Sequence, residues 1–311
     1  RYWRDWSSDV CSSDLAKKDE LNVVIDDDEQ HKMHVVFSTA CSLSHDWQSY
    51  LFFFHAMFHG QKGDVTRIVS GCKTEEDESK MKEIHEQQFA SAMNSNFLIH
   101  FTPEYGRQLE HEGVSYQKTK YWNKPFGLRH WMEHRFGYVW DENDDSKITV
   151  PEFDDHIIVL VDPDMLMQRP FVNDFSKLPI DHWQRKFRDN PEELLYGKVL
   201  QGHPAAQDYS FSAKWLKSVE KHLNEIVGPD SPVHSVSSEE ARVDYSAGPP
   251  YWLTARDAYR VSVKWTEFLP KIFKFHPQFM AEMYGYCMSA AHLGLKHQIA
   301  RSIPQIWHVK C

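Results

Sequence analysis

Short runs of β-branched and aliphatic residues alternate along the chain with longer segments whose apolar residues recur at helical spacing. The strand-like runs cover residues 34–39, 66–70, 96–101, 157–161 and 198–202. Helix-like segments stand between them, at residues 45–59, 73–92 and 124–135. Strands that alternate with helices are typical of a largely parallel sheet covered by helices on both faces. The pattern therefore predicts an α/β fold with a Rossmann-like, mostly parallel sheet.

The carboxy-terminal part of the chain has a helical pattern. One helix is predicted over residues 255–268, with Pro270 ending it, and a second opens at Pro277. Glu282 is unusual, because it stands in this otherwise apolar second helix and an unpaired carboxylate is costly to bury. It either contacts a ligand, reaches solvent, or pairs with Arg260.

The strand-like run at 157–161 leads directly into two aspartates, Asp162 and Asp164. In extended backbone this spacing puts both carboxylates on one side. Open α/β sheets bind their ligands at the carboxyl ends of such strands, and two carboxylates suit a divalent cation that also takes phosphate oxygens. The alternative is a polar turn that ends the strand.

A second acidic segment, residues 141–152, nearly matches a calcium-binding loop. Ser146 stands where such a loop needs glycine, and a strand is predicted after Glu152 where a calcium-binding motif has a helix. We therefore expect a solvated acidic loop, with calcium binding as the alternative.

The composition of the chain argues against some classes of function. It also sets two amino-terminal segments apart from the predicted fold. The net charge of -10 argues against binding to nucleic acid or to an anionic membrane. The five cysteines include no C-x-x-C pair, so the usual zinc spacings are absent from the sequence. Residues 1–15 resemble a translated sequencing adapter, and residues 16–33 are typical of a polar linker. The natural amino terminus is therefore expected to be missing.

Several short segments, in this order and spacing, resemble one known family. They are residues 34–41, 66–72, 123–125, 159–165, 248–251 and 281–286. The most specific is Ala281-Glu282-Met283-Tyr284-Gly285-Tyr286. The set is similar to the plant and algal peptidyl-serine α-galactosyltransferases and hydroxyproline O-arabinosyltransferases, and the resemblance covers about residues 34–300.

The resemblance implies a single glycosyltransferase domain of the GT-A type over residues 34–311, with Mn2+ at an Asp-x-Asp motif. The donor would be a UDP-sugar carrying galactose or arabinofuranose, transferred with retention to Ser or hydroxyproline of a hydroxyproline-rich polypeptide. It also implies residence in the Golgi or endoplasmic reticulum lumen, through a membrane anchor in the missing amino terminus. A non-catalytic sugar- or peptide-binding protein on the same scaffold is the alternative.

GT-A enzymes usually complete the metal site with a histidine near the end of the domain. His308 is available, but its surroundings match no such motif. We therefore expect the domain to be truncated at its carboxyl end.

On this resemblance, Asp162 and Asp164 are the expected metal ligands. The donor-binding candidates lie at strand ends and at a helix start, and they are Ser38, Thr39, Ala40, Arg67, Asn123 and Lys124. Their alternatives are an ordinary turn after the first strand, a surface Arg on an edge strand, and a helix cap followed by an exposed Lys.

The carboxy-terminal candidates are of two kinds. Glu282 and Asp257 are expected to be catalytic or acceptor-side carboxylates. Tyr251 and Trp252, after a Gly-Pro-Pro turn, are expected to form an aromatic acceptor platform, with core packing as the alternative.

Cys41 and Cys72 follow the first and second predicted strands. If those strands are neighbours, the two thiols can approach bonding distance. A disulfide would fit a lumenal compartment, and two buried free thiols are the alternative.

Overall fold

The computed structural model describes residues 32–108, 119–173, 198–300 and 306–308. Seven strands form one sheet: β1 (Met33–Ala40), β2 (Asp64–Ser70), β3 (Phe97–Thr102), β4 (Ile157–Val161), β6 (Ala205–Asp208), β7 (Ala247–Thr254) and β8 (Gln298–Ala300). Their order across the sheet is β3-β2-β1-β4-β7-β6-β8. Among these strands β7 alone is antiparallel to its neighbours. The predicted α/β class with a mostly parallel sheet is confirmed.

Helices cover both faces of this sheet. They are α1 (Leu43–Phe58), α2 (Glu75–His85), α3 (Tyr105–Gln108), α4 (Asn123–Phe136), α5 (Lys214–Lys217), α6 (Leu223–Val227), α7 (Ser238–Val243), α8 (Ala255–Phe275) and α9 (Ala281–His292). One hydrophobic core lies between the sheet and α4, α8 and α9. A second core lies on the opposite face, under α1 and the π-helical turn Glu86–Ala90 that follows α2. In the described part of the chain, no helix is both long and apolar enough to cross a bilayer.

At the centre of the sheet, β1 lies between β2 and β4, the strand that leads to the aspartate pair. On β1, Phe37 lies opposite Arg67 of β2 and opposite Val161 of β4, and all three strands are parallel. The next residues along β1 and β4 are Ser38 and Asp162, so both lie at the carboxyl edge of the sheet. This is the edge where a ligand was expected.

A short antiparallel ribbon, β5 (Met165–Met167) with β9 (Ile306–His308), lies just beyond the aspartates. Its register places His308 opposite Met165, the residue after Asp164. Residues 306–308 therefore lie close to the expected metal ligands.

One predicted strand is wrong, and strands β5 to β9 were not predicted. The run at 198–202 is not a strand, because it forms isolated bridges only, one of which joins Leu200 and His203. Strand β7 was missed because Pro249 and Pro250 lack the N–H that a ladder needs. The β6–β7 register shifts at these prolines, so the ladder passes around them and resumes on either side.

Several helix boundaries also differ from the predicted ones. Helix α1 begins at Leu43, which is two residues before the predicted start at residue 45, and its N-cap is Ser42. Helix α8 continues through Pro270 to Phe275, because Leu269, Ile272 and Phe273 beyond the expected end are buried in the core. Helix α9 begins at Ala281, not at Pro277.

Met33, which the sequence assigned to the polar linker, is a buried residue of β1, and the domain bounds stay a prediction. The suspected adapter at 1–15 and most of the linker at 16–33 lie outside the described residues.

Candidate functional site

A buried lysine joins three elements at the carboxyl edge of the sheet. Lys124, in the first turn of α4, places Nζ 2.5 Å from Oδ1 of Asp162 after β4. The same Nζ lies 3.3 Å from Oε1 of Glu282 on α9. Lys124 and Glu282 are buried, whereas the Asp162 side chain is 19% exposed. The three charges therefore lead from the protein interior to the surface.

Helix α4 starts where it does without the predicted cap. Its N-cap is Trp122, which has no capping side chain, and Asn123 is already helical. The Asn123 amide oxygen accepts hydrogen bonds from the backbone N–H groups of Tyr105 and Gly106, and its nitrogen donates to Glu104. Asn123 thus holds the loop after β3 against the start of α4. Both the oxygen and the nitrogen of its side-chain amide are hydrogen-bonded to residues of that loop.

Close packing of α9 against α8 fixes the position of Glu282. The indole nitrogen of Trp265 donates to the Glu282 backbone oxygen at 2.7 Å. Gly285 permits this approach, because a Cβ there would lie 2.8 Å from Trp265 Cδ1. Glu282 consequently faces Lys124, and the structure supports neither the solvent-facing alternative nor pairing with Arg260.

The electrostatics of this cluster are dominated by burial. Burial raises the pKa of Glu282 to about 7, although the neighbouring Lys124 opposes the shift. Burial alone would lower the pKa of Lys124, but Asp162 and Glu282 outweigh it and raise the pKa. Lys124 therefore stays charged at neutral pH, between two acidic groups.

Two properties of the cluster favour a bound ligand. Oε1 of Glu282 contacts the Lys124 ammonium but has no hydrogen bond, which is unusual for a buried carboxylate oxygen. Among the described residues, the Lys124 ammonium contacts two carboxylates, Asp162 and Glu282, and the exposed Asp164 follows two residues after Asp162. Such an edge attracts cations and groups that donate hydrogen bonds.

The aspartates alone do not form a complete metal shell. Within the described ranges, no group of three or more His, Cys, Asp or Glu side chains is arranged to hold a metal ion. Asp162 and Asp164 therefore supply at most two ligands by themselves. Of His308 only the backbone position, opposite Met165, is described.

A second buried cation, Arg67, lies two strands away from β4. Its Nε donates to Thr39 Oγ1 at 2.9 Å and its Nη2 to Asp46 Oδ1 at 2.7 Å. The predicted disulfide between Cys41 and Cys72 is confirmed and links the same two strand ends. We call these five residues the brace.

The brace changes the interpretation of two donor-binding candidates. Arg67 is buried on an interior strand, so the edge-strand alternative is wrong. Burial lowers its pKa and Asp46 opposes that shift. Thr39 is also buried and bonded within the brace, whereas Ser38 and Ala40 remain partly exposed. A donor-binding role for Arg67 and Thr39 stays a prediction that these contacts do not favour.

Asp257 lies in the first turn of α8, where it serves the local fold. Its Oδ2 accepts a hydrogen bond from the Gly202 backbone at 2.6 Å, and Oδ1 lies 3.8 Å from Arg260. Its backbone N–H donates to Thr254, which caps the helix. These contacts stabilise the helix start, and a catalytic role for Asp257 stays a prediction.

The two predicted acceptor aromatics are completely buried. Tyr251 stacks on Tyr286 with ring centroids 3.8 Å apart, and Trp252 packs edge-on against Phe171. Core packing, the alternative, accounts for both positions. In this arrangement neither ring offers a face to an acceptor.

Sequence reasoning missed one residue of the cluster, Tyr209. It follows β6, and the charges of Asp162, Lys124, Asp164 and Glu282 all act on its hydroxyl group. No motif or spacing marks it, because it reaches the cluster only through the order of strands in the sheet.

The described contacts of the acidic loop at 141–152 favour a solvated loop over a calcium site. The ammonium of Lys147 lies 3.1 Å from Asp141 and 3.7 Å from Asp144. Beyond Glu152 the chain passes through turns into β4, where a calcium-binding motif would have a helix. The expected solvated loop agrees with these contacts.

Comparison with known proteins gave two similarities. No family model matches this chain. It is 21% identical over 291 residues to the peptidyl serine alpha-galactosyltransferase of Arabidopsis thaliana. That alignment covers 88% of this chain but only 27% of the relative, so the chain spans about a quarter of the relative's length.

Among solved structures, the galactosyltransferase LgtC in complex with donor and acceptor sugar analogs is similar to this chain with a TM-score of 0.40. The two sequences are 10% identical, and the match covers 85% of this chain and 73% of LgtC.

Proposed function

We propose that this chain is the catalytic domain of a glycosyltransferase that takes a sugar from a nucleotide-diphosphate donor. The observation that carries the proposal is the aspartate pair at the carboxyl edge of a parallel sheet, beside the buried Lys124–Glu282 pair. The distant similarity to a peptidyl serine alpha-galactosyltransferase supports the same class of reaction.

The proposal extends to the donor, the acceptor, the stereochemistry of the transfer and the compartment. The donor is a UDP-sugar, with galactose favoured over arabinofuranose by the relative's name. The acceptor is Ser or hydroxyproline of a hydroxyproline-rich polypeptide, and the anomeric configuration is retained. The Cys41–Cys72 disulfide supports an oxidising, lumenal compartment such as the Golgi or endoplasmic reticulum.

A divalent cation, Mn2+ in this proposal, fits the residues at the edge. Asp162 and Asp164 are oxygen ligands next to an excess of negative charge, and they would hold the ion together with donor phosphates. When bound, the cation supplies charge neutralisation of the diphosphate leaving group. His308 is the further candidate ligand that the β5–β9 register brings to this edge.

The remaining roles belong to groups that the chain holds in place. Lys124 lies in the first turn of α4, where its ammonium and the helix dipole both favour a phosphate or a sugar hydroxyl. Oε1 of Glu282, whose described polar contact is the Lys124 ammonium, can accept a hydrogen bond from a hydroxyl of the donor sugar or the acceptor. Burial of both groups strengthens these contacts, because little water competes for them.

Turnover of nucleotide sugars tests the proposal. The purified chain is incubated with UDP-galactose or UDP-arabinofuranose, with Mn2+ or with chelator, and with Ser- or hydroxyproline-containing peptides. We expect Mn2+-dependent release of UDP and glycosylated peptide with one donor. UDP binding without turnover of either donor would instead indicate a non-catalytic binding protein.

A further inference from the structure

The turn that follows β6 is built in an unusual way. Ser210 and Ser212 both have left-handed backbone, with φ of 55° and 54°, which non-glycine residues rarely adopt. Two hydrogen bonds hold this conformation. The N–H of Ser210 donates to Asp208 at 2.8 Å, and the N–H of Ser212 donates to Ser246 Oγ at 3.1 Å. Uncommon backbone that the surroundings fix in this way is often found at functional sites.

The same turn carries Tyr209, and strand β7 is shaped to receive its ring. A Cβ at Gly248 would lie 2.1 Å from Tyr209 Cδ2, so no other residue at 248 leaves room for the ring. The ring also packs against the hydrophobic cores on both faces of the sheet. Glycine at 248 and the left-handed turn therefore both fix the position of Tyr209.

That position lies among the charged groups of the proposed site. Asp162, Lys124, Asp164 and Glu282 all act electrostatically on the Tyr209 hydroxyl, and Tyr209 remains partly exposed. Burial and the carboxylates raise its pKa, so the hydroxyl keeps its proton at neutral pH and can donate it in a hydrogen bond. Tyr209 follows β6, which runs in the same direction as β4 with β7 between them, so it lies at the same carboxyl edge of the sheet as the aspartates.

We propose that Tyr209 is a substrate-contacting residue whose hydroxyl donates a hydrogen bond to the nucleotide sugar where the diphosphate joins the sugar. The inference rests on the proposed function. Negative charge grows on the diphosphate oxygen as the sugar leaves, and a donor held in advance at that position stabilises the change. The bond is strongest while charge develops, so it contributes to turnover more than to donor binding.

Tyr209→Phe tests this, because it removes the hydroxyl and keeps the ring that fills the space over Gly248. We expect kcat for UDP-sugar turnover to fall by about 100-fold. KM for the donor, UDP affinity by calorimetry and the melting temperature should all stay close to those of the wild type. Gly248→Ala, which displaces the ring, should also lower kcat.

The matched control is Tyr245→Phe, since Tyr245 is a buried tyrosine that packs against Trp215 away from the cluster. It should leave kcat unchanged. Wild-type kcat in Tyr209→Phe would overturn the inference while the proposed function stands, and an equal loss in both variants would assign the effect to packing. If the unmodified chain turns over no nucleotide sugar, the proposed function fails and the inference fails with it.

Discussion

Arg67 and Lys124 are both buried cations near the carboxyl edge of one sheet, yet their surroundings differ. Arg67 donates hydrogen bonds to Thr39 and Asp46. The Cys41–Cys72 disulfide links the chain just beyond β1 and β2. Lys124 lies between Asp162 and Glu282, and Glu282 keeps an oxygen without a hydrogen bond. The fold alone supplies hydrogen-bond partners for Arg67. The Lys124 cluster, in contrast, contains a carboxylate oxygen that could accept a further hydrogen bond.

The partners of the two cations distinguish a structural role from a functional one more clearly than their residue types do. Buried polar groups normally find partners, so a satisfied pair needs no ligand to explain it. An excess of carboxylates around a single lysine carries a cost that a bound ligand offsets. The brace should therefore govern stability, and the Lys124 cluster should govern activity.

The largest expected effect is on turnover. Lys124→Met should lower kcat/KM for the nucleotide sugar by about 1000-fold, because it removes a buried positive charge from the helix start that we propose to face the donor phosphates. The melting temperature should change little, since Glu282 can take up a proton when its cation is lost. Steady-state kinetics and thermal unfolding measure the two effects. Arg67→Met is the matched control, and its folded fraction should turn over normally.

The next effect is on stability. Asp46→Ala leaves Arg67 buried without its carboxylate, which should lower the free energy of unfolding by about 3–5 kcal/mol. Urea denaturation measures this loss, and kcat of the folded protein should not change. A large fall in kcat with normal stability would instead return Arg67 to the donor site.

Removal of the disulfide should have a similar or slightly smaller effect. The Cys41–Cys72 link closes a loop with a sequence separation of 31 residues. For a loop of that size, the double variant Cys41→Ala, Cys72→Ala should be less stable by about 3–4 kcal/mol. Denaturation with and without reductant measures it, and reductant should not affect the variant. Unaltered stability would mean that the brace does not depend on the link.

The smallest effect is a pH dependence that belongs to the Lys124 cluster. The pKa of Glu282 rises from 4.5 in the unfolded chain to about 7 in the fold. Below the lower value both states are protonated. Between the two values only the folded state keeps the proton, so stability should fall as pH rises, by up to about 3 kcal/mol in total.

Above pH 7 this contribution should stay constant. Glu282→Gln cannot ionise, so the wild-type and variant stability curves should diverge through this window. Parallel curves from pH 4.5 to 7 would show that the pKa of Glu282 is not raised.

The sequence was informative wherever local pattern and final position agree. The strands β1 to β4 are continuous apolar runs separated by helices, so the parallel half of the sheet could be predicted. The aspartates follow one of those strands directly, and Cys41 and Cys72 follow two others. In each case the neighbour in space follows from the parallel order of the strands.

Prediction failed where tertiary packing overrides a local signal. Pro249 and Pro250 suggested a turn, but the register shift lets them lie within the buried strand β7. Pro270 suggested a helix end, but the core beyond it holds α8 together. Tyr209 could not be found at all, because its place depends on β6 lying beside β7.

The central claim is that the Asp162–Asp164 edge binds a nucleotide sugar for transfer. The most direct measurement is Mn2+-dependent turnover of UDP-galactose by the chain and by its Asp164→Ala variant, at matched folded concentration. We predict turnover by the unmodified chain and its loss, by at least about 1000-fold, in the variant, with unchanged thermal unfolding. Equal turnover by the two proteins would contradict the account.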